Sequence, residues 1–510
     1  MNITEKLEHI ATNIVKLIFF AIIAYLFYYS IVETSAIIEN KYTNEHTLFR
    51  KDNIILNITA IISVCIISVI IRKRRIKINK YVVFIITILW IATCVTWIFM
   101  TDLTPRSDQR QTLKAASKIL QGNYAPLKKG GYLYIYPQQY GLTLYFCAIV
   151  SLFNESAYLI IQLINIFLLC IAYYSIYKII QLLYNNEKIS KCVFLALIAF
   201  APISMYITFV YGNIIGLTFS CLSILFQIKY LQSEKKRYIL PIAVFACLAV
   251  MLKSNYLINL VGILVVFIVE MIFRKKIKYI IPIISIIVCY IGMTHGVNYI
   301  MKSITGMERS EGTPMTTWVA MGMQEGPMAP GWYNEFNLNT YVKSGYDSDK
   351  ASVKAQDSIQ KSMEEFKNKP EYAREFFNKK ILSQWNNPTF ECIWIHLYRK
   401  TEQSYSPMVE SVLIKDGKLG KLLTGYADTM QSLILFGTCT YIILDFKKIK
   451  MKELIFAIIF IGGFLFHIVW EAKCQYAITY FVLLIPYSVL GYYKIGGKIN
   501  KILKLRRKNA

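Results

Sequence analysis

Two aspartates, Asp102 and Asp108, stand just beyond the end of a long apolar run. They open the hydrophilic segment 101–141, TDLTPRSDQRQTLKAASKILQGNYAPLKKGGYLYIYPQQYG. Carboxylates in that position are either solvated loop residues or bases for chemistry at a membrane surface. Asp108 precedes the helix-compatible stretch QRQTLKAASKIL, which places it near a helix N-terminus. Free amides and the helix dipole keep a carboxylate ionised there. The plainer role is an N-cap beside Pro105. Three more ionisable residues sit at turns between apolar blocks: Lys253 in MLKSNY, and Glu471 and Lys473 in FHIVWEAKCQY. Charges at such turns are costly unless they face a cavity, the alternative being that they snorkel toward headgroups. The turn KKGGYLYIYP over 128–137 offers cations and tyrosines. It reads as an interfacial aromatic belt or as a platform for a sugar ring. His467 reads as a packed side chain and Glu270 as a partner for Arg274.

The elements that must hold these residues are apolar helices. The chain has 510 residues, 55% of them hydrophobic, with a mean hydropathy of +0.42. Its apolar blocks reach the ~20 residues a membrane helix needs. The formal charge of +26 comes from short basic clusters between those blocks, the pattern of loops held beside anionic lipid and not of a nucleic-acid interface. The cysteines lie mostly inside apolar runs, and no disulfide framework or zinc spacing emerges. About twelve spans are expected, near residues 17–37, 54–71, 81–100, 158–183, 193–210, 214–228, 238–252, 257–273, 279–297, 429–444, 454–469 and 476–490. The first is long enough to remain as a span instead of acting as a cleaved signal. Basic residues recur in alternate gaps (72–80, 188–191, 235–237, 274–278, 447–450 and the tail). Both termini are therefore expected on the cytoplasmic side, with Asp102 and Asp108 outside. The run 141–153 is too short to cross, and counting it as a span would invert every later basic loop. It is expected to lie in the outer leaflet. Residues 298–428 form a second outer region. Ala355, Ile359, Met363 and Phe366 recur at helical spacing, Pro370 interrupts, and Tyr372, Phe376, Phe377 and Ile381 resume the pattern.

No strand–GxGxxG–helix unit, GxxxxGK[ST], HExxH or GxSxG occurs, so a nucleotide substrate is not expected. An acid opening an outer loop, followed by Ala115-Ala116-Ser117-Lys118-Ile119-Leu120-Gln121-Gly122 and a short run ending in Leu152-Phe153, resembles the GT-C superfamily of membrane glycosyltransferases. Protein O-mannosyltransferases and bacterial aminoarabinose transferases share that architecture. The motifs WVAMGMQ, PGWYN, QWNNPTFE and WEAKCQY are most similar to transferases of Gram-positive cell-surface glycopolymers. Two departures stand out: Gln109 follows Asp108 where the family usually has Glu, and Tyr211-Gly212-Asn213 stands where a second acid is usual. The latter weakens a metal-dependent reading.

The apolar blocks make this an all-α polytopic membrane protein with two N-terminal spans (1–80). From about Tyr81 to the end, the frame it covers, the resemblance implies a transmembrane core (81–297) with its catalytic loop at 101–156, an extracytoplasmic cap (298–428), and three last spans with a basic tail (429–510). It implies a polyprenyl-phosphate monosaccharide as donor and a glycopolymer, glycolipid or protein as acceptor. Asp108 would be the general base of an inverting transfer. Lys253, Arg106 and Lys473 would serve the donor phosphate, and Asp102, Tyr132, Tyr136, Gln138, Trp332 and Glu471 would bind substrate. No cofactor or metal is expected. A donor-loading glycosyltransferase and a flippase are the protein partners such a scheme leaves room for. A surface-polysaccharide polymerase or ligase relying on His396 and Arg399 is the first alternative, and a transporter of lipid-linked sugars the second.

Overall fold

The long apolar blocks become the long helices of the computed structural model, which describes residues 3–38, 45–74, 77–396, 405–413 and 417–508. Helix α1 (Ile3–Val32) is followed by strands β1 (Glu33–Ile38) and β2 (His46–Lys51), then α2 (Ile54–Lys73) and α3 (Lys80–Thr101). The first outer segment folds into α4 (Ser107–Leu120), the single turn α5 (Tyr132–Ile135) and α6 (Tyr140–Phe153). Helices α7 (Ala157–Tyr184), α8 (Glu187–Ala199), α9 (Ala201–Met205), α10 (Asn213–Ser233), α11 (Ile239–Leu252), α12 (Leu257–Arg274) and α13 (Ile280–Thr305) continue the bundle. The cap carries α14 (Met315–Gly322), α15 (Phe336–Lys343), α16 (Ser348–Asn368), α17 (Pro370–Trp385) and α18 (Pro407–Leu413). The chain closes with α19 (Lys418–Asp445), α20 (Ile455–Val469) and α21 (Ile478–Lys508). It is an all-α polytopic membrane protein.

Local chemistry sets many of these boundaries. Asn53, Asn79, Asn186 and Asp347 cap α2, α3, α8 and α16 by accepting from backbone amides at 2.9–3.1 Å, which satisfies donors no helix can pair internally. Pro370 sits at the start of α17, where its missing N–H is harmless. The helical spacing read around Ala355 and Phe376 thus becomes two helices. Phe366 of α16 meets Phe376 of α17 with ring centroids 5.0 Å apart.

Three expectations need correction. Among the described residues ten helices are long and apolar enough to cross a membrane, or eleven if α8 and α9, bent by 58°, form one broken span. The expected span at 238–252 is the 14-residue α11, about 21 Å long at 1.5 Å per residue. It packs between α10 and α13. It still runs from the basic turn 235–237 beside Glu234 to Lys253 in the Asp108 end of the bundle, so it is short for a span but joins the two ends. The expected first span also ends early. At Val32 the helix gives way to a β-hairpin whose register runs from Glu33 opposite Lys51 to Ile38 opposite His46. The hairpin docks on the cap through Ser35 N–H to the Asn386 carbonyl and Thr47 N–H to the Met328 carbonyl, both 3.0 Å. Finally, α13 runs to Thr305, past the expected end at 297, before Gly306 turns the chain at φ 70°.

Loops from alternate gaps gather at two ends of the bundle. At one end Arg106 donates to the Trp394 carbonyl (2.6 Å), Ala472 N–H to the Gly331 carbonyl (2.8 Å), and Lys380 to the Ile468 carbonyl (2.9 Å). At the other, Lys16 reaches the Phe446 carbonyl (2.6 Å), and Lys276 and Lys278 both bind Glu234.

Candidate active site

The site is built where α4 begins. Ser107 adopts φ 46° and Asp108 occupies the first turn of α4, with its side chain exposed. No side chain caps this helix, so Asp108 is not its N-cap. Gln109, the departure from the family pattern, is buried and accepts from the Val210 N–H at 2.9 Å. It pins the start of α4 to the turn that carries Tyr211.

That turn supports Lys253. The Lys253 ammonium lies 3.6 Å from the centroid of the Tyr211 ring, a close cation–π contact. Gly212 makes the approach possible. At φ 80°, an added Cβ would fall 2.4 Å from the Leu252 carbonyl and 3.2 Å from Lys253 Cβ, so a larger residue would displace the lysine. The Tyr211 hydroxyl accepts from Gln139 Nε2 at 2.8 Å and also pairs with Tyr132. Lys253 is buried, and burial pulls its pKa down to about 7 against the attraction of Asp108 and Glu471. Among the described residues no carboxylate forms an ion pair with it. Beside it opens a narrow cleft lined by Asn213, Asn255, Asn259, Gln475, Tyr476 and Thr479.

Glu471 links this half to a second cluster. Burial raises its pKa to about 7 despite Lys473, and Asp108 and Glu45 push the same way. The Tyr476 hydroxyl donates to it at 3.3 Å. Lys473 binds Glu45 at 3.0 and 3.1 Å and lies 3.8 Å from Glu391. Burial opposes the Lys473 charge, but Glu391, Glu45 and Glu471 outweigh it and hold the ammonium above the usual lysine range. One lysine cannot neutralise three buried carboxylates. Glu45 takes the close pair and, against the effect of burial, is held below its ordinary value. Glu391 is pushed up by burial to about 7. Trp394 completes this cluster by donating to Glu45 at 2.9 Å, with the Arg106 guanidinium 5.1 Å over its ring.

An aromatic wall flanks both halves. The rings of Trp318 and Trp470 stack at 5.9 Å and 3°, and Tyr136 leans on Trp318 at 6.2 Å. The charges of Asp108 and Glu471 raise the pKa of Tyr136, Tyr333 and Tyr476 on top of burial, that of Tyr333 to about 12.

The structure therefore draws Asp108, Lys253, Glu471, Lys473, Tyr132 and Tyr136 together, with Arg106 at the edge. Trp332 is corrected: it is fully enclosed, its N–H donates to Ser383 Oγ at 2.8 Å, and it packs with Ala329, Ala472 and Cys474. No face remains for a ligand. Gln138 is exposed, and its neighbour Gln139 makes the contact with Tyr211. Asp102 is the exposed C-cap of α3, left-handed at φ 36°. His396 is buried, within hydrogen-bond distance of Trp97 and Thr208 at Nε2 and of the Cys392 carbonyl at Nδ1. Burial lowers its pKa to about 4; Arg399 lies outside the described residues. Glu270 pairs with Arg274, and His467 is buried, stacked on Tyr476.

Sequence reasoning missed Glu45, Glu391, Trp394 and Trp470. Glu391, at the end of QWNNPTFE, carried a signal as a lone acid among apolar neighbours. Glu45 carried none, sitting in a polar run that reads as a connecting loop. Among the described residues no group of three or more His, Cys, Asp or Glu could hold a metal ion. Comparison of the chain with protein-family models, curated proteins and solved structures found no match.

Proposed function

We propose that this protein is a membrane glycosyltransferase of the GT-C kind, moving a monosaccharide from a polyprenyl-phosphate donor to an acceptor hydroxyl outside the cell membrane. The observation that carries the reading is an exposed carboxylate, Asp108, near enough to a buried lysine, Lys253, for their charges to be felt, in one tyrosine-lined site at a bundle end. Asp108 removes the proton of the acceptor hydroxyl, whose oxygen bonds to the anomeric carbon from the face opposite the leaving group. The bond from that carbon to the phosphate oxygen breaks, its electron pair departs on the phosphate, and configuration inverts. Lys253 meets the growing phosphate charge in a site where water is scarce, so its attraction is strong. Lys473 and Arg106, engaged by Glu45 and Trp394, hold the wall of the site. Trp318, Trp470 and Tyr136 present apolar faces to a sugar ring. The basic loops at the opposite end favour a cytoplasmic location for both termini and an extracytoplasmic one for the site. Glycopolymer, glycolipid and protein are the acceptor classes consistent with this reading.

The test uses the purified protein in liposomes containing a polyprenyl-phosphate monosaccharide and a panel of acceptors. Release of polyprenyl phosphate with matching glycosylation of an acceptor is the expected result, abolished in Lys253→Gln and partly kept in Lys253→Arg. Turnover by Lys253→Gln equal to that of the parent would remove the phosphate role.

A further inference from the structure

The end of the bundle opposite Asp108 holds a second built site. The C-terminus of α2, the start of α8 and α21 enclose an open pocket lined by Arg72, Lys77, Lys188, Lys191 and Tyr493, with Glu187 as the one acid in its lining. Its cations are held in place, not merely clustered. The Arg72 guanidinium lies 4.1 Å over the Tyr493 ring and donates to the Tyr493 carbonyl at 3.3 Å. Lys188 donates to the Ile71 carbonyl at 3.2 Å and Lys191 to the Ile78 carbonyl at 3.1 Å. Asn186 caps α8 and also donates to the Tyr493 hydroxyl at 3.4 Å. The free amides of α8 therefore open beside Lys188.

The pair Gly496-Gly497 explains how α21 comes so close. A Cβ on Gly497 would fall 3.0 Å from the Arg72 guanidinium carbon, and one on Gly496 would fall 2.7 Å from the Ser68 carbonyl. Of the groups facing the pocket, Glu187 is taken by Lys191 at 2.8 Å, so positive charge remains in excess. An ammonium and a guanidinium beside a helix N-terminus form a receptor for phosphate. Exposed apolar side chains of α2 next to it, Ile62, Ile66, Ile67 and Ile70, offer a track for acyl chains.

We infer that this pocket binds the phosphate headgroup of an anionic phospholipid, with the acyl chains lying along α2. The function proposed above plays no part in this inference.

Native mass spectrometry of the full-length protein, released from detergent with phosphatidylglycerol or phosphatidylcholine, tests it. Retention of phosphatidylglycerol in preference to phosphatidylcholine is expected. Each cation near a membrane surface is worth about fivefold in lipid affinity. Lys77→Gln, at an exposed side chain, should weaken retention about fivefold, and Arg72→Gln/Lys188→Gln/Lys191→Gln about a hundredfold. The control Lys276→Gln/Lys278→Gln, in a different basic loop, should leave it unchanged. Equal retention of the two lipids, or a control effect as large as that of Lys77→Gln, would overturn the proposal. So would displacement of the lipid by millimolar inorganic phosphate, which would assign the pocket to a soluble anion. Because Lys77→Gln touches no packed contact, unchanged retention in that variant also counts against it, whether or not the triple variant folds.

Discussion

The two ends of the bundle use the same charged residues in opposite ways. Around Glu234 the lysines Lys276 and Lys278 are more than two-fifths exposed. Around Lys473, Glu391 is 2% exposed and Glu45 14%. Exposed pairs contribute little to stability, being already solvated and screened. Buried charges incur a desolvation penalty that attraction only partly repays. A chain that keeps Lys253, Lys473, Glu45, Glu391 and Glu471 out of water at one end, and leaves its other basic loops wet, has concentrated its electrostatic strain in one place. Perturbed titratable groups gathered in a cleft in this way make that end the candidate functional site.

The sharpest way to break this contrast is to remove the proposed base. Asp108→Asn keeps shape and hydrogen bonding but accepts no proton, so transfer should fall about 100- to 10,000-fold, with unchanged yield in the membrane. Asp102→Asn, at an exposed helix C-cap, should change transfer far less. Both are read as initial rates with a defined lipid-linked sugar. Equal losses in the two variants would mean that the segment, and not Asp108, matters.

Next in size is Lys473→Met. It leaves Glu45 buried beside Glu391 with its close cation gone, and breaking one partner of a buried pair costs about 3–5 kcal/mol. The melting temperature in detergent should drop, and Glu45→Gln in the same chain should restore part of it. A Lys473→Met variant as stable as the parent would show the cluster to be well hydrated.

A third prediction concerns pH. Burial holds Lys253 near pKa 7, so its charge is present below that pH and lost as pH rises through it. If that charge serves the donor phosphate, kcat/KM should fall as pH rises through about 7. Lys253→Arg, whose guanidinium stays protonated, should carry its lower activity without that alkaline limb. A parent profile flat to pH 9 would separate Lys253 from the chemistry.

These tests bear on residues of unequal legibility. Asp108 was readable because an apolar run, a proline and a helical pattern converge on it within a few positions. Lys253, Glu471 and Lys473 were readable because ionisable residues between apolar blocks are conspicuous. The bundle was legible for the same reason, since hydropathy records what lipid demands of a helix. Glu45 was not, because its place depends on a hairpin of two six-residue strands whose alternation is weak, and on a partner 428 residues away. Trp332 was misjudged because a tryptophan in a Gly-Pro loop looks the same whether it faces a ligand or a core. Only packing on Ala472 and Cys474 decides. The short length of α11 was not legible, because hydropathy marks an apolar block without fixing where its helix starts and stops.

The smallest expected effect decides which end is which. Lys278 and Gln356 are exposed, at the opposite end from Asp108 and in α16 of the cap, respectively. Neither touches the site, so Lys278→Cys and Gln356→Cys should leave transfer and melting temperature within measuring error. Four native cysteines, Cys65, Cys170, Cys192 and Cys289, are partly accessible, and the other seven are buried. Replacing those four by Ser gives a quiet background. In intact cells a membrane-impermeant maleimide should then label Gln356→Cys at once and Lys278→Cys only after the membrane is opened. The reverse pattern would move Asp108 and Lys253 to the cytoplasmic face. It would also place the phosphatidylglycerol pocket on the outer leaflet, so the contrast between the ends would stand with its orientation inverted. Labelling of both positions in sealed cells would mean that the chain crosses the membrane an even number of times between them. Helix α13 (Ile280–Thr305), the long apolar helix between the two positions, would then be the crossing to re-examine.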